Sequence, residues 1–192
     1  MRKLPGSNKV KTAVFISGTG SNLKNLIKFS LTKKSPIQIN FVLSNNSKAK
    51  GLNFAKKNKI KYKIFNFKKE KNDENKILFY LKRNEINLIC LAGFMKILSS
   101  NFIKKFNGKI INIHPSFLPN YKGLNTSIRA LNNNEKFSGC TVHYVTSKLD
   151  SGKIVMQKKV KIAKNETSIS LDKKIIKEEH KLYPSAILKI FN

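Results

Sequence analysis

The 192-residue sequence predicts an α/β fold: an open, mostly parallel, twisted sheet with helices on both faces and antiparallel strands toward the C-terminal half. Three observations lead there. Short apolar runs alternate with amphipathic helical segments as far as His114, the β-α-β-α pattern of a parallel sheet. One run, "NLICLAGF", is apolar throughout, as a strand covered on both faces must be. Beyond His114 the alternation gives way to two strand-like runs joined by an Asp-Ser-Gly turn, which suits antiparallel pairing.

In chain order, "TAVFIS" (12–17) reads as a buried strand, preceded by a flexible basic segment over 1–11 and followed by a Gly-rich turn. The helix "SNLKNLIKFS" comes next, apolar residues recurring at helical spacing. "IQINFVLS" is the second strand, "KAKGLNFAKKN" a helix despite its glycine, and "YKIFNF" a short third strand near an edge. "DENKILFYLKRN" opens acidic and closes basic, as the helix dipole favours. "NLICLAGF" is the central strand, "SSNFIKKF" a helix and "KIINIH" the fifth strand. A loop holding Pro115, Pro119 and Gly123 leads to a helix near "TSIRALNN", then to the strands "CTVHYV" and "KIVMQKKV". A C-terminal helix starts at about Thr167, with Pro184 expected to bend or interrupt it. No repeat or long linker divides the chain, which is read as one domain over 1–192.

Composition narrows the function. The two cysteines, Cys90 and Cys140, give no disulfide framework and no zinc spacing, and Cys90 sits in an apolar run as a small buried hydrophobe. No apolar stretch approaches membrane-spanning length and none forms a signal core, so a soluble cytoplasmic protein is expected. Thirty-nine Lys and Arg against ten Asp and Glu give a formal charge of +29, which attracts polyanions. The lysines are spread over nearly every segment among abundant Asn and Ile, a mixture expected from AT-rich coding. No basic stripe with stacking aromatics stands out, so no specific nucleic-acid partner is expected.

Chemistry concentrates in three places. In "INIHPSFLP", Asn112 and His114 are two residues apart and so project from the same face of a strand, which Pro115 then ends. An amide donor and an imidazole thus stand at a strand terminus, where parallel sheets carry ligand sites. In "SGTGSN", Gly18 and Gly20 allow close backbone approach, while Ser21 and Asn22 open a helix whose free N–H groups favour an anion. Leu23 stands where a dinucleotide fingerprint needs its third glycine, so one phosphate fits better; tight packing is the equal alternative. In "LDSG", Asp150 reads as a turn residue or, if it returns to His114, as a carboxylate favouring the imidazolium.

"AVFISGTGSNL", "LAGFMKILS", "INIHPSFLPNYKG", "GCTVHYV" and "LDSGKIVMQ", in this order, resemble the glycinamide ribonucleotide formyltransferases of the folate-dependent formyltransferase family, from Thr12 to the end of the chain. The resemblance implies the formyltransferase fold and transfer of a formyl group from 10-formyltetrahydrofolate, as co-substrate, to the amine of phosphoribosylglycinamide, without a metal. It implies a catalytic trio of Asn112, His114 and Asp150, with Gly20, Ser21 and Asn22 on the substrate phosphate. Glu179 would contact the glycinamide substrate, and Met95, Lys96, Ile97 and Leu98, with Asn112, would line the folate pocket. Lys96 stands where many bacterial relatives show Arg, and Asn125 where they often show His. The family's arginine between the third strand and third helix has no clear counterpart in "KKEKNDENK".

Elementary chemistry agrees with these roles. An amine attacking a formyl carbon creates an oxyanion and a cationic nitrogen, so the site needs a donor and a proton acceptor. The Asn112 amide and a protonated His114 would serve the oxyanion, with Asp150 raising the histidine pKa. Three alternatives share the fold: a methionyl-tRNA formyltransferase, a formyltetrahydrofolate deformylase, and a non-catalytic polyanion binder. The first carries an additional C-terminal domain and the second an N-terminal regulatory domain, for neither of which a 192-residue chain has room.

Overall fold

The computed structural model describes residues 9–65, 67 and 70–191. The strands are β1 (Val10–Ile16), β2 (Ile37–Ser44), β3 (Lys61–Ile64), β4 (Leu88–Leu91), β5 (Lys109–His114), β6 (Phe137–Tyr144) and β7 (Ile154–Lys161). They form one sheet in the order β3-β2-β1-β4-β5-β6-β7. β1 to β5 run parallel, whereas β6 pairs antiparallel with both β5 and β7. β4, the "LICL" run, is the middle strand and is buried at every position. The helices are α1 (Ser21–Ser30), α2 (Leu52–Lys57), α3 (Glu70–Arg83), α4 (Ser100–Lys105), α5 (Thr126–Asn132) and α6 (Ser168–Phe191). None of the described helices is long and apolar enough to cross a membrane.

Strand alternation divides the core in two. Val14 and Ile16 of β1 face one side with Leu23 and Leu26 of α1 and Leu171, Ile175 and Tyr183 of α6. Ala13 and Phe15 face the other, with Ile77 and Leu81 of α3 and Phe102 of α4. Both faces of the central strands are therefore covered, which is why their sequences read as continuous apolar runs.

Expectations for five elements change in detail. β1 begins at Val10 rather than Thr12, because Val10 donates to the Pro36 carbonyl at 2.8 Å and pairs in register with Ile37. Val10 and Lys11 thus belong to the sheet, and residues 1–8 of the segment expected to be flexible lie outside the described residues. α2 spans only Leu52–Lys57, since residues 47–51 fold as turns that bring Gly51 against Gly20. α3 starts three residues earlier than "DENKILFYLKRN", and β6 three residues before "CTVHYV". α6 runs unbroken past Pro184. The proline leaves the His180 carbonyl without its intrahelical donor; Asn25 Nδ2 of α1 donates to that oxygen at 2.6 Å, so the loss is made good by a neighbouring helix.

Gly152 illustrates how the β6–β7 connection is fixed. A Cβ at this position would overlap the Tyr144 carbonyl, because the chain folds back there to let Tyr144 N–H donate to the Lys153 carbonyl at 2.9 Å. Gly152→Ala is expected to lower stability by about 2 kcal/mol, the scale of forced overpacking, as measured by urea unfolding.

Candidate active site

The β5–β6 pairing assembles the site. Antiparallel register sets Asn112 opposite His143 and His114 opposite Thr141, and a register shift between Val142 and His143 interrupts the β6–β7 ladder at the same level. Such irregularities re-aim side chains next to functional sites. The β6–β7 connection then returns Asp150 to this end of β5 in a left-handed conformation, φ 45°. Asp150 Oδ2 lies 3.4 Å from His114 Nδ1 and accepts the Gly123 N–H at 2.9 Å. Its Oδ1 lies 3.6 Å from His143 Nε2 and 3.5 Å from Asn112 Nδ2. The structure therefore brings Asn112, His114 and Asp150 together and adds His143, which sequence reasoning passed over.

Tautomers follow from the acceptors. His114 Nε2 is 2.9 Å from the Tyr121 carbonyl, which can only accept, so Nε2 carries a proton. His143 Nδ1 stands likewise 2.8 Å from the Tyr144 carbonyl and donates to it, while its Nε2 lies 3.3 Å from Asn112 Nδ2 and 3.6 Å from Asp150 Oδ1. Both Asn112 contacts are long. Its amide hydrogens are held loosely and can turn to a stronger acceptor.

The expected imidazolium at His114 needs correction. Burial is the largest influence and lowers its pKa below the usual histidine value; the Tyr121 carbonyl and the Asp150 carboxylate act upward, His143 and Arg129 downward. Burial prevails, so the resting ring is neutral with its proton on Nε2. Asp150 shows the opposite balance. Burial works to raise its pKa, but the His143 hydrogen bond, the Gly123 N–H and the two histidines together hold it below the usual carboxylate range.

The loop over residues 115–125 is pinned from β6 and β7. Thr141 Oγ1 donates to the Ser116 carbonyl at 2.7 Å and accepts from Leu118 N–H at 3.1 Å, while Gln157 Nε2 donates to the Leu118 carbonyl at 2.7 Å. Tyr121, at φ 57°, donates from its hydroxyl to Glu135 at 2.7 Å, and the Arg129 guanidinium lies 5.3 Å from its ring centroid. These ties aim its carbonyl at His114. Asn125 initiates α5 at φ 57°, a conformation asparagine tolerates better than most residues.

At the end of β1, Gly20 adopts φ 74° and a Cβ there would lie 2.5 Å from Gly51 Cα, so this glycine has a packing role whatever else it does. It precedes α1 with no side-chain cap, leaving the first N–H groups of the helix, including those of Ser21 and Asn22, outside the intrahelical ladder. The Asn22 side chain turns inward and donates to Glu179 Oε2 at 2.8 Å. Ser17, also unforeseen, donates to Asn45 Oδ1 at 2.5 Å and accepts from Met95 N–H at 2.7 Å, tying the β1 end to the segment after β4. In that segment Met95, Lys96 and Ile97 are exposed, whereas the Leu98 side chain is buried in the core. Burial pushes the Cys90 and Cys140 thiols up to about 12, which removes them as nucleophiles near neutral pH.

An open α/β sheet with polar groups converging beyond the ends of its parallel strands defines a ligand-binding enzyme architecture, and comparison with known proteins makes the class specific. Residues 10–187 match the formyl transferase family, and the chain belongs to it. Phosphoribosylglycinamide formyltransferase of Haemophilus influenzae is 40% identical over 180 residues, covering 92% of this chain and 85% of that protein. The human trifunctional purine biosynthetic protein adenosine-3 is 41% identical over 185 residues; the match takes in 93% of this chain but only 18% of that protein. The crystal structure of phosphoribosylglycinamide formyltransferase from Brucella melitensis superimposes with a TM-score of 0.90 at 39% identity, covering 95% of this chain and 96% of that one.

Glu179 supplies a prediction. Burial raises its pKa from 4.5 to about 7, the Asn22 hydrogen bond opposing and the Asp172 charge adding. A folded-state pKa above the unfolded one gives stability that is complete below pH 4.5 and is lost as pH rises through 7. Glu179→Gln keeps the Asn22 acceptor and does not titrate. Its stability relative to the parent is expected to climb across that window, reaching about 3 kcal/mol above it, read from denaturant unfolding at a series of pH values.

Proposed function

We propose that this protein transfers the formyl group of 10-formyltetrahydrofolate to the amine of phosphoribosylglycinamide, giving formylglycinamide ribonucleotide and tetrahydrofolate. The observation carrying this reading is the convergence of an amide, an imidazole and an ionised carboxylate, Asn112, His114 and Asp150, at the end of β5. Membership of the formyl transferase family and 40% identity to a phosphoribosylglycinamide formyltransferase support it.

In this reading the substrate phosphate lies at the N-terminus of α1, against the backbone N–H groups of Ser21 and Asn22, with Gly20 giving it room. Glu179, held by the Asn22 amide, contacts the glycinamide portion. The exposed residues Met95, Lys96 and Ile97 border the folate, with Leu98 contributing backbone while its side chain stays in the core. Asn112 turns its loosely held N–H groups to the formyl oxygen as charge develops there. Attack forms the new C–N bond and leaves a proton to be removed from the ammonium nitrogen. Neutral His114 offers Nδ1 as acceptor, and Asp150 stabilises the imidazolium that results. The proton passes to the departing folate nitrogen as its bond to the formyl carbon breaks.

The test follows tetrahydrofolate formation with phosphoribosylglycinamide, methionyl-tRNA or water as acceptor. Turnover with the first alone is expected, and preference for either of the others overturns the assignment. Asp150→Asn should slow single-turnover transfer ~100-fold or more with both substrates still binding. The same change should move the His114 titration, followed by NMR, to lower pH. An unaltered rate and titration would reduce Asp150 to a turn residue.

A further inference from the structure

At the far edge of the sheet, cations scattered in the sequence come together. Lys56 at the end of α2, Lys59, Lys61 and Lys63 along β3, and Arg83 closing α3 line one groove of about 830 Å³ with Tyr62 and Tyr80. Among the described residues no carboxylate lines the groove and none of the five cations belongs to an ion pair. Both rings lie beside ammonium groups: Lys56 Nζ is 5.9 Å from the Tyr62 centroid and Lys63 Nζ 5.1 Å from that of Tyr80. Tyr62 is 36% exposed and Phe41 floors the groove from the core.

The groove is remote from the candidate active site. β3 is four strand spacings from β5, ~19 Å at ~4.8 Å each, and the groove lies at the starts of the parallel strands rather than their ends. Lysines on an edge strand also discourage sheet-to-sheet association, which accounts for Lys61 and Lys63. It does not account for Lys56 and Arg83, which come from helices on either side of that strand, nor for the concavity, whose size is that of a small-molecule site.

We propose that this groove at the sheet edge binds nucleotide phosphates, the five cations flanking the phosphate chain from both faces of β3 and Tyr62, on the α2 face beside Lys56, offering a ring to the base. Several unpaired cations around one concavity call for a ligand of concentrated negative charge, and the tyrosines favour one that also carries a flat ring. A free nucleoside triphosphate and a single RNA strand present the same chemistry. Binding would be insensitive to base sequence, in keeping with the absence of any base-reading motif, and distinct from the substrate site at α1.

The test measures fluorescence anisotropy at physiological salt with labelled ATP, a short single-stranded oligoribonucleotide and poly-glutamate. Lys56→Glu, Lys63→Glu and Arg83→Glu are combined in one variant. The control, Lys158→Glu, Lys161→Glu and Lys173→Glu, removes the same charge from exposed positions on β7 and α6. Saturable binding of ATP or RNA, weakened about tenfold or more in the first variant and less than twofold in the second, with formyl transfer unchanged in both, is expected. Tighter binding of RNA or of ATP identifies the source, and either supports the site. Equal losses in the two variants, poly-glutamate bound as tightly as RNA and ATP, or no binding at physiological salt overturns it. Tyr62→Ala should weaken ATP binding without weakening that of inorganic triphosphate; equal effects would remove the stacking role.

Discussion

The arrangement at the end of β5 rests on one buried anion. The Asp150 side chain is 8% exposed, and an ionised carboxylate so placed is stable only when its oxygens are hydrogen-bonded. Its partners come from three other parts of the chain: Asn112 and His114 on β5, Gly123 in the loop that follows, and His143 on β6. Each must be correctly placed for the others to be tolerated. The carboxylate thus links the register of the antiparallel half of the sheet to the course of the loop over 115–125, and the site cannot be loosened without exposing or stranding its charge.

A second buried carboxylate does the same for the other half. Glu179 of α6 meets Asn22 at the start of α1, and Asn25, one turn on, supplies the hydrogen bond that Pro184 withholds from His180. Tyr183, fully buried between these contacts, shares its one hydroxyl proton between the carbonyls of Leu91 and Ile111 at 3.0 and 3.2 Å, on the two strands that lead to the site. The C-terminal helix is therefore fastened both to the turn proposed for the phosphate and to the strands behind Asn112.

The sheet was legible because parallel strands buried on both faces leave unmistakable apolar runs; "IQINFVLS" and "KIINIH" coincide with β2 and β5. Asn112 and His114 stood out because a strand that ends on polar groups and a proline leaves them no core to enter. His143 did not, since a lone histidine between apolar residues in "CTVHYV" has the same local pattern as a structural one. Only the register with β5 sets it opposite Asn112. Ser17, Thr141 and Gln157 were hidden for the same reason: their partners are distant carbonyls and loops, and nothing local reveals a contact between residues 78 apart, as in the bond from Met95 to Ser17. Of the two outcomes expected at Pro184, a bend or an interruption, the interruption does not occur, because another helix supplies a donor for the bond the proline withholds.

His114 shows why burial and charge have to be weighed together. Proximity to Asp150 alone argues for an imidazolium, and two acceptors, Tyr121 and Asp150, flank the ring. A permanently charged histidine, however, would have no capacity to take a proton. Burial tips the balance to the neutral ring, while the Tyr121 carbonyl fixes the remaining proton on Nε2 and leaves the Nδ1 lone pair toward the carboxylate. That lone pair is less comfortable beside an anion than a proton would be, so a proton arriving at Nδ1 gains an ion pair at the moment of transfer. In the reaction we propose, the same carboxylate that cannot hold the resting ring in its charged form favours that form as the proton is transferred, and such a difference between two states is what accelerates a chemical step.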